Sequence, residues 1–159
     1  MGTTPSSEDR PIPSGIDLYN AFDFVLGKWA KLSCEHIGAP VEGPSIMTLE
    51  RSVYLSGPVK GLMVVRAHRK VGGLLTERLS SEAVQPLSEE DAFTDLVNLY
   101  CGHFLATHWD PKSFKPFHST PCNPFSWPKQ NPRSACAMLI EKYPLEIRLW
   151  IEPDISNGN

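Results

Sequence analysis

The chain has 159 residues, of which 41% are hydrophobic and 21% charged, and its net charge is -3. A chain of this length can bury a substantial core as one domain and needs no disulfide or metal to hold it together. The mildly acidic balance argues against nucleic-acid binding, and no run approaches the roughly 18 apolar residues of a membrane span. We therefore expect a cytoplasmic protein with neither a nucleic-acid nor a membrane partner.

The N-terminal segment, residues 1–15, combines three prolines with serines and charged residues. Such a composition cannot bury enough apolar surface to order itself, which predicts a disordered lead-in. It also lacks the basic start and apolar core of a secretory signal. We expect a single folded domain over residues 16–159.

The first half of that domain predicts a helix followed by two strands. Apolar residues recur every three or four positions over residues 16–33, which is typical of an amphipathic helix that packs inward. Alternating apolar residues predict strands at 46–55 and 59–67, and Gly57-Pro58 turns the chain between them. Because the connection is so short, we expect an antiparallel hairpin.

Two helices follow, a short one near residues 70–81 and a long one at residues 88–108. The long helix begins with Ser88 and three acidic residues, a start that resembles a capping box and suits the helix dipole. At about 100° per residue its apolar side chains fall on one side. This inward face consists of Phe93, Leu96, Val97, Tyr100 and Phe104.

The opposite side of the long helix carries a row of three residues, Asp95, Asn98 and Gly102, which we call the polar row. Most polar helix faces are merely solvated. However, Gly102 costs a helix about 0.8–1 kcal/mol relative to alanine, and Asn98 is also a mediocre helix former. A glycine on an exposed face allows another backbone to approach closely. The polar row is therefore the candidate functional surface.

The last third of the chain predicts a loop and a second hairpin. Residues 110–133 contain six of the fifteen prolines, so we expect a loop or at most an edge strand broken by turns. Residues 135–142 and 145–152 alternate as two strands of a hairpin. Together these elements predict an α+β domain with helices on one face of a mainly antiparallel sheet.

A weak internal duplication is also visible, in which a helix precedes two strands (αββ) in each half. Asp17-x-x-Asn20 in the first helix repeats the spacing of Asp95-x-x-Asn98 in the long one. Phe24 stands at the position equivalent to Gly102, where its bulk would obstruct a close approach. We therefore interpret the first pair as structural.

The cysteines and histidines do not predict a metal site. Four scattered cysteines without a C-x-x-C pair are typical of free thiols, and the spacing of Cys101, His103, His108, His118 and Cys122 matches no familiar zinc pattern.

Two segments resemble a known family, the CheC/CheX/FliY phosphatases of bacterial chemotaxis, and specifically its single-site CheX type. "DAFTDLVNLYCGHFLATH" is similar to the family's E-x-x-N-x-x-x-G helix, and "VYLSGPVKGLMVVRAH" to its strand, glycine-containing turn and strand. The resemblance covers residues 16–152. It implies that the substrate is the phosphoaspartate of a CheY-like response regulator.

The resemblance also implies roles for individual residues. Asn98 would position the attacking water, Asp95 would pair with the regulator's active-site lysine, and Gly102 would permit close docking, with Asp91 and Ala106 on the same docking surface. The chain itself would carry no cofactor, because the required Mg²⁺ is held by the regulator. A homodimer, joined through exposed sheet edges, is implied as well.

One departure leaves an alternative open. The family usually has glutamate at the position of Asp95, whose shorter side chain weakens the expected ion pair. The chain is then either a phosphatase or a binding module that recognises a response regulator, or another signalling partner, without hydrolysis. A third hypothesis, a small-molecule sensor beneath residues 110–133, rests only on the aromatics of that region, Trp109, Phe114, Phe117, Phe125 and Trp127.

Overall fold

A computed structural model describes residues 12–40, 47–56, 60–79, 88–108 and 128–151, together with the backbone of residues 118–122. The described elements are three helices and six strands. In chain order they are α1 (Gly15–Ala30), β1 (Cys34–Gly38), β2 (Leu49–Ser56), β3 (Gly61–Ala67), α2 (Arg69–Leu79), α3 (Glu89–His108), β4 (His118–Cys122), β5 (Ser134–Ile140) and β6 (Tyr143–Ile151).

The strands form one sheet in the order β1-β5-β6-β3-β2-β4, and all neighbouring strands in it are antiparallel. Both predicted hairpins are confirmed, one as β2 with β3 and the other as β5 with β6. The two hairpins join through β3 and β6, whose pairing runs from Gly61 opposite Ile151 to Ala67 opposite Leu145.

The helices pack against one face of this sheet and bury the main core. Along β6, Leu145, Ile147 and Leu149 belong to the same cluster as the buried side chains of all three helices. Trp150 alternates to the other face, where it forms a small separate cluster with Leu62 and Val64. The predicted α+β class, with helices on one face of an antiparallel sheet, is confirmed.

The internal duplication is present, and each copy is one strand larger than the αββ pattern of the sequence. The helix α1 is followed by β1, β2 and β3, and α3 by β4, β5 and β6. Exchanging the two sets reverses the strand order and reproduces it, so the sheet has approximate twofold symmetry about the β3–β6 pair. The first strand of each copy pairs with the second strand of the other, which interlocks the halves.

The two strands that the αββ pattern lacks lie at the edges of the sheet. The side chains of β1 are mostly exposed, so its sequence has no alternation that could reveal a strand. The strand β4 falls within the proline-rich region and contains Pro121, which an edge strand tolerates. This agrees with the expectation of at most an edge strand there.

The N-terminal boundary lies earlier than predicted. Pro13 is buried, Ser14 caps α1, and the helix begins at Gly15, so these residues belong to the domain rather than to a lead-in. The predicted disorder of residues 1–11 lies outside the described residues. Ile16, expected to face inward, is 47% exposed.

In the described part of the chain, no helix combines the length and apolar character needed to cross a membrane.

Burial of the inner face of α3 generates a stability prediction. Leu96 is fully buried in the main core, whereas Leu99 on the same helix is 46% exposed. Replacing Leu96 with alanine leaves a cavity, so Leu96→Ala should lower the free energy of unfolding by about 2–5 kcal/mol. Leu99→Ala is the matched control and should change it by no more than about 0.5 kcal/mol. Urea denaturation of both variants measures the difference, and equal losses would contradict the assigned helix phase.

Candidate functional site

The start of α3 is capped and held by ion pairs. The backbone N–H of Asp91 donates to Ser88 Oγ at 3.1 Å, as the capping-box-like sequence predicts. Arg69, at the start of α2, lies 3.0 Å from a carboxylate oxygen of Glu89 and 3.1 Å from one of Glu90. These pairs are largely exposed and contribute at most about 1 kcal/mol each, so they orient the helix end more than they stabilise it.

The inner face of α3 fixes the rotation of the helix about its axis. All five residues predicted to face inward are buried, and Ala92, Cys101 and Leu105 are buried with them. The hydroxyl of Tyr100 donates to the backbone carbonyl of Leu18 in α1 at 3.1 Å, and its ring packs against Phe22 with centroids 5.2 Å apart. Burial raises the pKa of Tyr100 well above its ordinary value, so the phenol remains a neutral donor.

The outer face of α3 presents every residue of the predicted site to solvent. Asp91, Asp95, Asn98, Gly102 and Ala106 are all exposed. Beyond its own helix turn, a Cβ atom built at Gly102 would have no neighbour within 4 Å among the described residues. Within the described residues, the side chains of Asp95 and Asn98 make no hydrogen bond or ion pair. A carboxylate and a carboxamide thus project, one turn apart, from a bare helix surface that another protein can approach.

Sequence reasoning missed an apolar flank beside the polar row, formed by Leu99, Phe24, Lys28 and His103, which we call the aromatic rim. Leu99 and Phe24 are 46% and 49% exposed. The ring of Phe24 stacks on the imidazole of His103 with centroids 4.7 Å apart and planes at 12°, and Lys28 Nζ lies 5.4 Å from the ring centre. The helical spacing of Leu99 and His103 could have indicated half of the rim, but Phe24 joins it only through tertiary packing.

In α1, Asp17 and Asn20 have the same spacing as Asp95 and Asn98, but Asp17 makes hydrogen bonds that Asp95 does not make in the described structure. One carboxylate oxygen of Asp17 accepts hydrogen bonds from the backbone N–H of Ser14 at 2.9 Å and from its hydroxyl at 3.0 Å. These bonds complete the capping box, so Asp17 is engaged in holding the helix start. The structure therefore agrees with a structural role for Asp17, while Asn20 is exposed, and in the shared sequence spacing Phe24 stands where α3 has Gly102.

A cleft of about 290 Å³ opens beside Asp17, where the first half of α1 meets the C-terminal end of α3. Its walls include Asn20, Phe24, His103 and His108. Phe24 and His103 therefore belong both to the wall of the cleft and to the aromatic rim beside the polar row.

The thiols of this region are poor nucleophiles. Burial raises the pKa of Cys101 and of Cys136 to about 12, and burial also raises the pKa of Cys34, whose thiol contacts an oxygen of Asp23 at 3.4 Å. The side chain of Cys122 lies outside the described residues. Among the side chains that are described, no three histidine, cysteine or carboxylate groups are arranged to hold a metal ion.

Solved structures with this architecture were found by comparison of folds. CheX from Desulfovibrio desulfuricans aligns with a TM-score of 0.62 at 14% identity, over 87% of this chain and 98% of the other. CheX from Borrelia burgdorferi, solved in complex with CheY, BeF3 and Mg²⁺, aligns with a TM-score of 0.59 at 16% identity, over 89% and 99%. CheX from Vibrio vulnificus aligns with a TM-score of 0.61 at 11% identity, over 86% and 97%.

The chain has the CheX fold. The resemblance seen in two sequence segments is thereby confirmed at the level of the fold, across nearly the whole length of each CheX chain. Comparison of the sequence with protein-family models and with curated proteins finds no match.

The capping box of α1 in this CheX-like fold predicts a pH-dependent contribution to stability. The backbone hydrogen bond from Ser14 lowers the pKa of Asp17 below its ordinary value. A carboxyl whose folded pKa is depressed stabilises the fold above its unfolded pKa of about 3.9, and the contribution is lost as the pH falls through the folded pKa. Asp17→Asn should therefore cost on the order of 0.5–1 kcal/mol at neutral pH.

The difference in unfolding free energy between Asp17→Asn and the wild type should shrink on acidification through that range. Asp95→Asn is the control, because the exposed carboxylate of Asp95 makes no such hydrogen bonds in the described structure. Denaturant titrations at neutral and acidic pH measure both variants. A difference that stays constant across the titration would show that the capping carboxylate is not responsible.

Proposed function

We propose that this protein is a CheX-type phosphatase that hydrolyses the phosphoaspartate of a CheY-like response regulator. The observation that carries the proposal is the exposed polar row, Asp95, Asn98 and Gly102, on the outer helix of a CheX fold. A protein of the same fold, CheX from Borrelia burgdorferi, forms a complex with CheY. We expect the chain to act in the cytoplasm and to need no cofactor of its own.

Hydrolysis of an acyl phosphate by water requires side chains that position the reacting groups, not a side chain that acts as the nucleophile. In hydrolysis of an acyl phosphate, the oxygen of water bonds to phosphorus, the bond from phosphorus to the aspartyl oxygen breaks, and the regulator's carboxylate leaves. Such reactions are accelerated mainly by orientation and by stabilisation of charge on the phosphoryl oxygens. The Asn98 carboxamide oxygen would accept a hydrogen bond from the water and aim it in line. Mg²⁺ bound by the regulator would neutralise the phosphoryl charge.

The charge of α3 favours a basic group on the docked partner. Asp91 and Asp95 are exposed along the first half of the helix, whereas the carboxylate of Glu90 is paired with Arg69. We assign Asp95 the ion pair with the regulator's active-site lysine, since it lies one turn before Asn98 on the same face. Gly102 and Ala106 would provide the flat surface beyond it.

We also propose that the protein is a homodimer joined at a sheet edge. Within the described sheet, β1 and β4 are the outermost strands, and each pairs on one side only. Unpaired strand edges are common sites of association.

A second candidate is a binding module that recognises the regulator without hydrolysing it. It is favoured by Asp95, whose side chain reaches one methylene less far than glutamate. The proline-rich residues 110–133 would also favour it if they reshaped the surface around the polar row, but their described parts lie elsewhere. The strand β4 lies at the sheet edge beside β2, and the carbonyl of Gln130 accepts a 2.8 Å hydrogen bond from the Trp150 indole on the sheet face opposite the helices.

Asn98→Ala tests the proposed mechanism. Loss of the amide that positions water should slow hydrolysis by about 10²-fold or more while leaving stability nearly unchanged, because the side chain is exposed. The substrates are CheY-like receiver domains from the protein's own organism, phosphorylated with acetyl phosphate, and phosphate release is measured with and without the protein.

Asn20→Ala is the matched control for this assay, because Asn20 is the exposed carboxamide of the structural pair in α1. It should retain the wild-type rate. If the wild type binds a phosphorylated receiver without shortening the lifetime of its phosphoryl group, the binding module is the correct description. If Asn98→Ala hydrolyses as fast as the wild type, the assignment of Asn98 fails.

Gly102→Ala should raise the stability of the protein and lower its activity. A methyl group at this position would contact no other described part of the chain, so the variant should gain about 0.8–1 kcal/mol of helix stability. The same methyl group would stand in the docking surface and should reduce kcat/KM for the phosphorylated receiver.

The control for Gly102→Ala is Gly73→Ala in α2, where a Cβ atom would make only an ordinary 3.7 Å contact with Glu89 Oε1. It should gain comparable stability at unchanged kcat/KM. Thermal unfolding and steady-state kinetics of both variants make the comparison, and a Gly102→Ala protein of full activity would remove the case for close approach.

A further inference from the structure

We propose that the aromatic rim, formed by Phe24, Lys28, Leu99 and His103, is the part of the docking surface that anchors the regulator. This inference rests on the proposed function and extends it to α1, a helix to which the sequence assigns no role in binding. The rim fits a receiver surface with an exposed apolar side chain beside an acidic one.

The rim presents its apolar area in a fixed arrangement. The Phe24 ring is half exposed, yet one of its faces is stacked on His103 at 4.7 Å. The Lys28 ammonium lies 5.4 Å from the centre of the same ring. A side chain that is already ordered loses little conformational freedom when a partner covers it, and aromatic anchors of this kind often dominate binding energy.

The rim is continuous with the polar row. Along α3, Leu99 lies one turn beyond Asp95 and one turn before His103, so the exposed surface passes from the row through Leu99 to His103. The stacking of His103 on Phe24 then carries that surface across to α1. A globular partner that lies over the polar row and extends towards α1 would therefore cover the rim.

The charges on this surface favour one orientation of the docked partner. The first half of α3 exposes Asp91 and Asp95, whereas the rim carries the exposed Lys28. A receiver with a basic group at its active site and an acidic group further out would meet opposite charges at both places in one orientation only. Complementary charges of this kind set the register of an interface more than they set its affinity.

The rim is assigned to the regulator rather than to a second copy of the chain. A copy seated on Leu99 would cover its neighbours on the same helix, Asp95 and Asn98, and would block the proposed reaction. The structure offers the edge strands β1 and β4 for self-association without that conflict.

The test measures binding and turnover with the receiver whose dephosphorylation the wild type accelerates most. Phe24→Ala should weaken binding of that receiver, loaded with BeF3 and Mg²⁺, by about tenfold, as for an interface anchor. Its KM for the phosphorylated receiver should rise in parallel, while kcat at saturation stays near the wild-type value. Lys28→Glu should also weaken binding.

Ile16→Ala is the matched control, because it removes an equally exposed apolar side chain from the same helix, 47% exposed, two turns away. It should leave binding and turnover unchanged. Sedimentation of Phe24→Ala should show the oligomeric state of the wild type.

The inference is overturned if Phe24→Ala and Lys28→Glu bind the receiver as tightly as Ile16→Ala. It is also overturned if Phe24→Ala changes the oligomeric state while leaving receiver binding intact, since the rim would then serve self-association. Failure of the proposed function is a separate result, seen as a wild-type protein that accelerates dephosphorylation of no receiver.

Discussion

Burial of one face of α3 is the constraint on which the rest of this structure depends. Leu96, Val97 and Tyr100 are fully buried, and the Tyr100 hydroxyl reaches across to the backbone of α1. Rotation of the helix by a single residue would move apolar side chains into water and bring charged groups into the core, at a cost of several kcal/mol. The exposure of Asp95, Asn98 and Gly102 therefore follows from what the opposite side of the helix buries.

The features that could be predicted from the sequence are those whose apolar residues recur at regular spacing or form clear runs. The long helix and its inward residues are confirmed, because buried side chains recur with the helical period along α3. Both hairpins are confirmed as well, and their strands β3, β5 and β6 are buried along most of their length. The CheX resemblance was recognisable from the α3 and β2–β3 segments. The exposure of the polar row followed from helix phase alone, whereas its catalytic role stays a prediction.

The features that escaped prediction depend on tertiary context. The strand β1 exposes most of its side chains, so only its pairing with β5 makes it a strand. Its pairing also enlarges the sequence-level αββ repeat to αβββ. The aromatic rim is assembled from two helices distant in sequence, and the half-exposed Phe24 has a neighbour in His103 only when α1 packs on α3. Periodicity within one segment contains no information about such contacts.

The twofold symmetry of the sheet places two helices with the same D-x-x-N spacing in one fold, where their residues make different contacts. Asp17 lies in the first turn of α1 and is engaged by Ser14 in a capping box, whereas Asp95 lies beyond the first turn of α3, which Ser88 caps, and is exposed. At the next position of the shared spacing, α1 has the bulky Phe24 and α3 has Gly102. Because Phe24 stacks on His103 beside the polar row, its ring extends the exposed surface of α3 onto α1. In the proposed function, the same side chain would obstruct docking at α1 and enlarge the docking surface at α3.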